Sequence, residues 1–243
     1  MKRVYEKNKL HHALIWIGIY IVLSIFADQV SDMVGIQKLF TAPLLIGISV
    51  LLWRFIQKEG LSQTFGLTAF CGNLKEYLFF IPLAVIAFCN LWNGVRMNFS
   101  LPETVLYIVS MLCAGFVEEV IFRGFLLRAI LGKKVLQALF VSGLTFGLGH
   151  IVNLLNGADF LPTLLQVGYA FAVGFLFAVI VYKGKSLYPC ILTHSFLNAT
   201  SAFAVERSRS NTILISMILC IISAGYILYL LKGGLEQEAD ESQ

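Results

Sequence analysis

Apolar runs about as long as a membrane span recur along nearly the whole chain, and only short polar breaks separate them. A hydrocarbon core of about 30 Å takes roughly 17–25 helical residues. Eight stretches meet or approach that length: Leu10–Ala27, Leu39–Ile56, Tyr77–Trp92, Thr104–Leu127, Val135–Leu155, Leu161–Tyr182, Leu187–Val205 and Thr212–Leu231. The third is short. Strict alternation of apolar and polar residues is missing, so a membrane β-barrel is not expected. The pattern predicts an all-α, polytopic membrane helix bundle with about eight transmembrane helices, forming one integral membrane domain over residues 1–243. Composition agrees, because only 13% of the residues are charged, against roughly 25% in an ordinary soluble domain. A soluble fold of this size could not hide so much apolar surface.

Basic residues set the expected orientation. Lys2, Arg3, Lys7 and Lys9 precede the first stretch, as in a secretory signal, but Ile25-Phe26-Ala27 is a poor small-x-small cleavage sequence. The stretch is read as a retained first helix. With the N-terminus in the cytoplasm, thirteen lysines and arginines fall in inside segments. Only Lys38, Arg96, Arg207 and Arg209 fall outside, and Arg123 stays within the membrane. The positive-inside rule is satisfied, which predicts a multi-pass protein of the cell membrane with both termini cytoplasmic. The net charge of +4 then describes a basic cytoplasmic face, and no nucleic-acid partner is expected. The segment Gly60–Lys75 is too polar to span and is expected along the cytoplasmic interface, and Glu236–Gln243 reads as a solvated acidic tail. The five cysteines are scattered singly, without a C-x-x-C pair, so neither a disulfide framework nor a thiolate metal site is expected.

Chemistry therefore has to sit in the helices. Ionisable groups inside a span are costly and mark functional sites by default. Three clusters qualify: Glu118-Glu119 with Arg123, then Phe146 with His150 and Asn153, then His194 with Asn198. Glu119 and Arg123 are four apart and share a helix face, where they can neutralise each other. Glu118 is turned by about 100° from Glu119, which leaves its carboxylate available. Gly143, Gly147 and Gly149 ahead of His150 would let another helix approach closely. A free carboxylate, two histidines and an amide are the parts needed to activate water and hold an oxyanion. Taken singly, each has a plainer reading: a structural ion pair, hydrogen-bonded core histidines, a packing phenylalanine, a loop-opening Asn153.

The ordered set E-E-x-x-x-R, F-x-x-x-H and H-x-x-x-N resembles the CPBP family, the CAAX-protease and bacteriocin-processing (Abi) intramembrane endopeptidases. It is met in full by Glu118, Glu119, Arg123, Phe146, His150, His194 and Asn198. The resemblance covers about residues 104–204. It implies an eight-helix intramembrane glutamic protease whose site opens toward the cytoplasmic half. By resemblance, Glu118 is the general base acting with His150 on a water, and His194 with Asn198 stabilises the oxyanion. Glu119, Arg123 and Phe146 position the site. The implied partners are the lipid bilayer and a membrane-associated peptide or protein substrate.

Other classes fare worse. H-E-x-x-H and G-x-S-x-G are absent, and Asp28, Asp32, Asp159 and Asp240 all lie at stretch ends or in loops. A transporter would carry internal repeats with paired broken helices, which the sequence lacks. A non-catalytic membrane regulator or bacteriocin-immunity protein keeping the fold is the alternative. Glu118 with the two histidines could form a His₂-carboxylate zinc site; the glutamate-water route needs none, and no metal or other cofactor is expected. The many isoleucines and phenylalanines and the compact loops point to a bacterial chain, for which a short membrane-bound peptide is the expected substrate. One expectation is internally inconsistent. At about 1.5 Å per residue, Glu118 and His194 fall in the cytoplasmic half, whereas His150 falls about 22 Å from the inner end of its stretch.

Overall fold

The computed structural model of the chain describes residues 1–232 and 234, so the expected acidic tail Glu236–Gln243 lies outside the described residues. Its helices are α1 (Lys2–Lys7), α2 (Lys9–Val34), α3 (Thr41–Lys58), α4 (Ser62–Phe65), α5 (Ile81–Ala87), α6 (Leu101–Glu119), α7 (Leu127–Ile130), α8 (Val135–Gly149), α9 (Phe160–Gly184), α10 (Tyr188–Thr200) and α11 (Arg209–Leu231). A π-helical segment, Val120–Leu126, joins α6 to α7, and α8 runs on as a 3-10 helix over His150–Asn156. The only β feature among the described residues is an isolated bridge between Val95 and Ala204. The all-helical expectation holds. Among the described residues five helices are long and apolar enough to cross a membrane: Lys9–Val34, Leu101–Ile130, Val135–Asn156, Phe160–Gly184 and Arg209–Leu231.

Two expected stretches take a different form. Within Tyr77–Trp92 the chain makes a left-handed turn, with φ of 49°, 51° and 57° at Leu78, Phe79 and Phe80. L-residues in that region cannot continue a right-handed helix. Pro82 then opens the seven-residue α5 in its first turn, where proline is favoured. Tyr226 Oη donates to the Tyr77 carbonyl at 2.6 Å, and the Phe70, Tyr77 and Phe80 rings pack together beside the turn. In Leu187–Val205, α10 has only 13 residues, about 20 Å at about 1.5 Å per residue. It ends because the chain turns extended at Ala204, where Arg96 N donates to Phe203 O at 2.9 Å and Asn98 Nδ2 donates to the carbonyls of Ala202 and Ala204.

Packing centres on α9, whose Leu176–Val181 run is completely enclosed. Its close approach to α8 depends on two of the three glycines singled out above. A Cβ on Gly143 would lie 2.7 Å from Phe175 N, and one on Gly147 would lie 2.8 Å from Phe171 Cβ. Gly149 is different, with open space where a Cβ would go. At Gly115 a Cβ would meet the Ser195 backbone at 2.6 Å, so α10 lies directly on α6, and Ser195 Oγ donates to Leu112 O there. Because the Gly143 neighbour is backbone, relief requires the helices to part, and overpacking of this kind costs about 1–3 kcal/mol. Gly143→Ala is expected to lower the melting temperature of detergent-solubilised protein. Gly18→Ala, with nothing within 4 Å of the new methyl, is expected to leave it unchanged or raise it slightly.

The basic segments gather at one end of the bundle. Lys2 Nζ pairs with Glu59 at 2.6 Å, tying α1 to the end of α3, and Lys183 Nζ donates to Leu230 O at 2.7 Å, tying α9 to α11. The polar segment Gly60–Lys75 is anchored there too. Phe65 and Leu67 are buried, Gly66 O accepts from Leu187 N at 2.7 Å, and Ser186 Oγ donates to Thr68 O. At the opposite end Lys38 pairs with Asp28 at 2.7 Å, and Gln37 N donates to Glu103 at the start of α6.

Candidate active site

The π-helical segment begins immediately after Glu118 and Glu119. Its wider turn sends the Leu127 N–H to Phe122 O, five residues back, and the same carbonyl accepts from Ser142 Oγ of α8 at 3.0 Å. Segments of this kind recur at functional sites. Here it brings α8 onto the part of the helix that carries Arg123.

Glu119 and Arg123 form a fully enclosed ion pair, with Arg123 Nη1 donating to Glu119 Oε1 at 2.9 Å. Arg123 Nη2 donates to Gly174 O at 3.1 Å, and the guanidinium lies 4.3 Å from the Phe146 ring centre. Gly174 has to be glycine, since a Cβ would stand 2.9 Å from Nη2 and 2.8 Å from Phe146. Phe146 therefore covers the cation instead of merely filling the core. Glu119 Oε1 also accepts from His194 Nδ1 at 2.8 Å.

Glu118 points elsewhere, as the helix rotation requires. Its Oε1 accepts from Tyr20 Oη at 2.5 Å, and its Oε2 lies 3.5 Å from His194 Nε2. His150 Nδ1 is 3.2 Å from Phe146 O. A carbonyl can only accept, so this bond places the proton on Nδ1 and leaves Nε2 of a neutral His150 as a lone-pair acceptor. By the same logic His194 carries its proton on Nδ1, facing Glu119. Its Nε2 donates only when the ring is the imidazolium. The Asn198 amide makes no hydrogen bond to the described residues.

Glu118, Phe146, His150, His194 and Asn198 all line one cavity of about 470 Å³. Glu119 and Arg123 sit behind its wall, reaching it through His194 and Phe146. Asn153 lines the cavity as well, in the 3-10 segment, with Nδ2 donating to Gln166 at 2.9 Å. Sequence reasoning missed Tyr20 and Asn90. Asn90 lines the same cavity and donates to Leu197 O at 2.7 Å. Neither carries a local signal: a single tyrosine in an apolar helix and a single asparagine at the end of a short one point to nothing until the helices are assembled. Among the described residues no group of three His, Cys, Asp or Glu side chains is arranged to hold a metal ion.

The depth inconsistency disappears in three dimensions. Counted from the turn between α7 and α8, Glu118 lies twelve residues from Ile130 and His150 fifteen from Val135, about 18 and 22 Å at about 1.5 Å per residue. The α10 helix starts with Leu187 against Gly124, six residues in from Ile130, which adds about 9 Å at about 1.5 Å per residue to the short distance from Tyr188 to His194. All three residues meet near mid-height of the Leu101–Ile130 helix.

These features define a multi-pass helical membrane protein with a carboxylate–histidine site enclosed in its bundle. Residues 100–200 match the model of the Rce1-like family, described as type II CAAX prenyl endopeptidase Rce1-like. This is the family the three motifs resemble, and the matched segment contains every motif residue. No curated protein and no solved structure matches the chain.

Proposed function

We propose that the chain is an intramembrane endopeptidase that hydrolyses a peptide bond of a membrane-associated peptide or protein with a water activated by Glu118. The observation that carries this reading is the convergence of Glu118, His150, His194 and Asn198, from three separate segments, on one cavity. In this account about eight crossings, some of them short or broken, place both termini and the basic end of the bundle on the cytoplasmic side.

Glu118, oriented by Tyr20, takes a proton from water, and the His150 Nε2 lone pair accepts the water's second hydrogen. The resulting hydroxide attacks the scissile carbonyl. The oxyanion is met by the Asn198 amide and by Nε2–H of His194 in its imidazolium form, the ring being held by Glu119 at Nδ1. Glu118 then returns its proton to the leaving nitrogen, which closes the proton balance. Arg123 pairs with Glu119, and Phe146 and Gly174 keep Arg123 in place.

The proposed route does not use a metal. Purified protein is expected to keep cleaving peptide after chelation and dialysis, with no stoichiometric zinc by elemental analysis. One zinc per chain, lost together with activity, would sink the metal-free route.

A further inference from the structure

The geometry points to substrate entry from the face opposite the basic end, so the bonds cut belong to exported peptides or to outward-facing segments beside a membrane anchor. This rests on the protease reading and on a cytoplasmic basic end, and it departs from the cytoplasmic opening that the family resemblance implies.

The cavity is closed on one side and open on the other. Its floor is made by Phe122, Phe177 and His194, all buried. Below that floor, toward the basic end, Phe125 packs on His12 at 4.8 Å and on Phe65 at 4.9 Å between ring centres, an aromatic plug with Arg123 enclosed above it. Away from the floor the lining climbs in one direction on every element. On α2 it passes from Tyr20 to Ser24 to Asp28, one turn at a time. On α6 it runs from Glu118 back to Tyr107, about 16 Å at about 1.5 Å per residue. On α10 it continues from His194 to Asn198, and on to Ser201 in the 3-10 turn that follows the helix. It ends among Lys38, Asn156 and Arg207, the first and last half-exposed and Asn156 exposed.

Hydrolysis needs both water and a polar peptide backbone at Glu118, and an aromatic plug admits neither. Polar side chains recur up the open side, at Ser24, Asp28, Asn90, Asn153 and Asn198, among apolar ones such as Ile21, Met111 and Leu197. Arg207 Nη2 donates to Cys89 O and to Asn90 Oδ1, so the mouth is braced by hydrogen bonds across three segments. The positive-inside rule assigns the opposite, basic end to the cytoplasm. An extended segment entering from outside would thus reach Glu118 without crossing the plug.

Side-specific labelling tests this without needing a known substrate. In a chain whose five native cysteines are replaced, single cysteines are placed at Asp159 and Lys134 to report orientation, and at Ser24 and Met111 to report the cavity. A small, membrane-impermeant methanethiosulfonate is applied to intact cells and to permeabilised ones. Ser24→Cys is nearly isosteric, and Met111→Cys gives a second reading from another helix if one variant fails to fold. The expected result is labelling of Asp159→Cys, Ser24→Cys and Met111→Cys in intact cells, with Lys134→Cys reacting only after permeabilisation. Cavity cysteines that react only after permeabilisation, or from neither side, overturn the inference, as does external labelling of Lys134→Cys. Labelling reads access alone, so adding Glu118→Gln should leave the pattern unchanged, and that variant's cleavage tests the protease reading separately.

Discussion

Replacing Glu118 with glutamine is expected to slow peptide cleavage by at least about a hundredfold while the protein stays folded. Glutamine keeps the size and can still accept from Tyr20 Oη, so the 2.5 Å contact to α2 is retained in neutral form. What disappears is the base. General-base contributions are typically about 10²–10⁴-fold. Because Glu118 lines the cavity instead of lying in the sealed wall, removing its charge strands no buried cation. The checks are a cleavage rate and a detergent melting temperature on the same preparation, with the rate down by two decades or more and the temperature near that of the parent.

Glu119→Gln is expected to behave differently. Arg123 is completely enclosed, and Glu119 is its only carboxylate partner among the described residues. Removing one partner of a buried pair costs about 3–5 kcal/mol, because the remaining charge cannot be solvated. The Gly174 carbonyl and the Phe146 ring hold the guanidinium but do not neutralise it. The His194 Nδ1–H would lose its anionic acceptor in the same step. A large drop in melting temperature should therefore accompany loss of activity. Adding Arg123→Met removes the stranded charge and should recover part of the stability. If Glu119→Gln instead abolishes cleavage in a fully stable protein, while Glu118→Gln destabilises it, the two carboxylates have the opposite roles.

The division between these glutamates was legible in the sequence because it depends on local geometry. The four-residue spacing of Glu119 and Arg123, and the rotation between neighbouring helical residues, hold even where the helix passes into a π turn. The histidine motifs were legible for the same reason, as polar residues at an energetic cost in apolar helices. Long-range features were not. The left-handed turn at Leu78–Phe80 is written in large apolar residues without a glycine, and it depends on Tyr226 from the last helix to hold Tyr77. The early end of α10 depends on Val95, Arg96 and Asn98, about a hundred residues away. Gly149 looked like its two glycine neighbours but borders the cavity instead of a packed helix. Tyr20 lies outside the matched segment, and only assembly of α2 against α6 brings its hydroxyl to Glu118.

The central claim is that this site cuts peptide bonds, and the most direct measurement is a comparison of membrane peptidomes. Cells expressing the wild-type chain are set against cells expressing Glu118→Gln at equal membrane abundance. The account predicts a set of peptides whose new ends appear only with the wild type, cut in outward-facing segments next to apolar anchors. Identical peptidomes, with Glu118→Gln also retaining whatever cellular effect the wild-type chain has, would contradict it and leave a membrane regulator that keeps the protease fold without its chemistry.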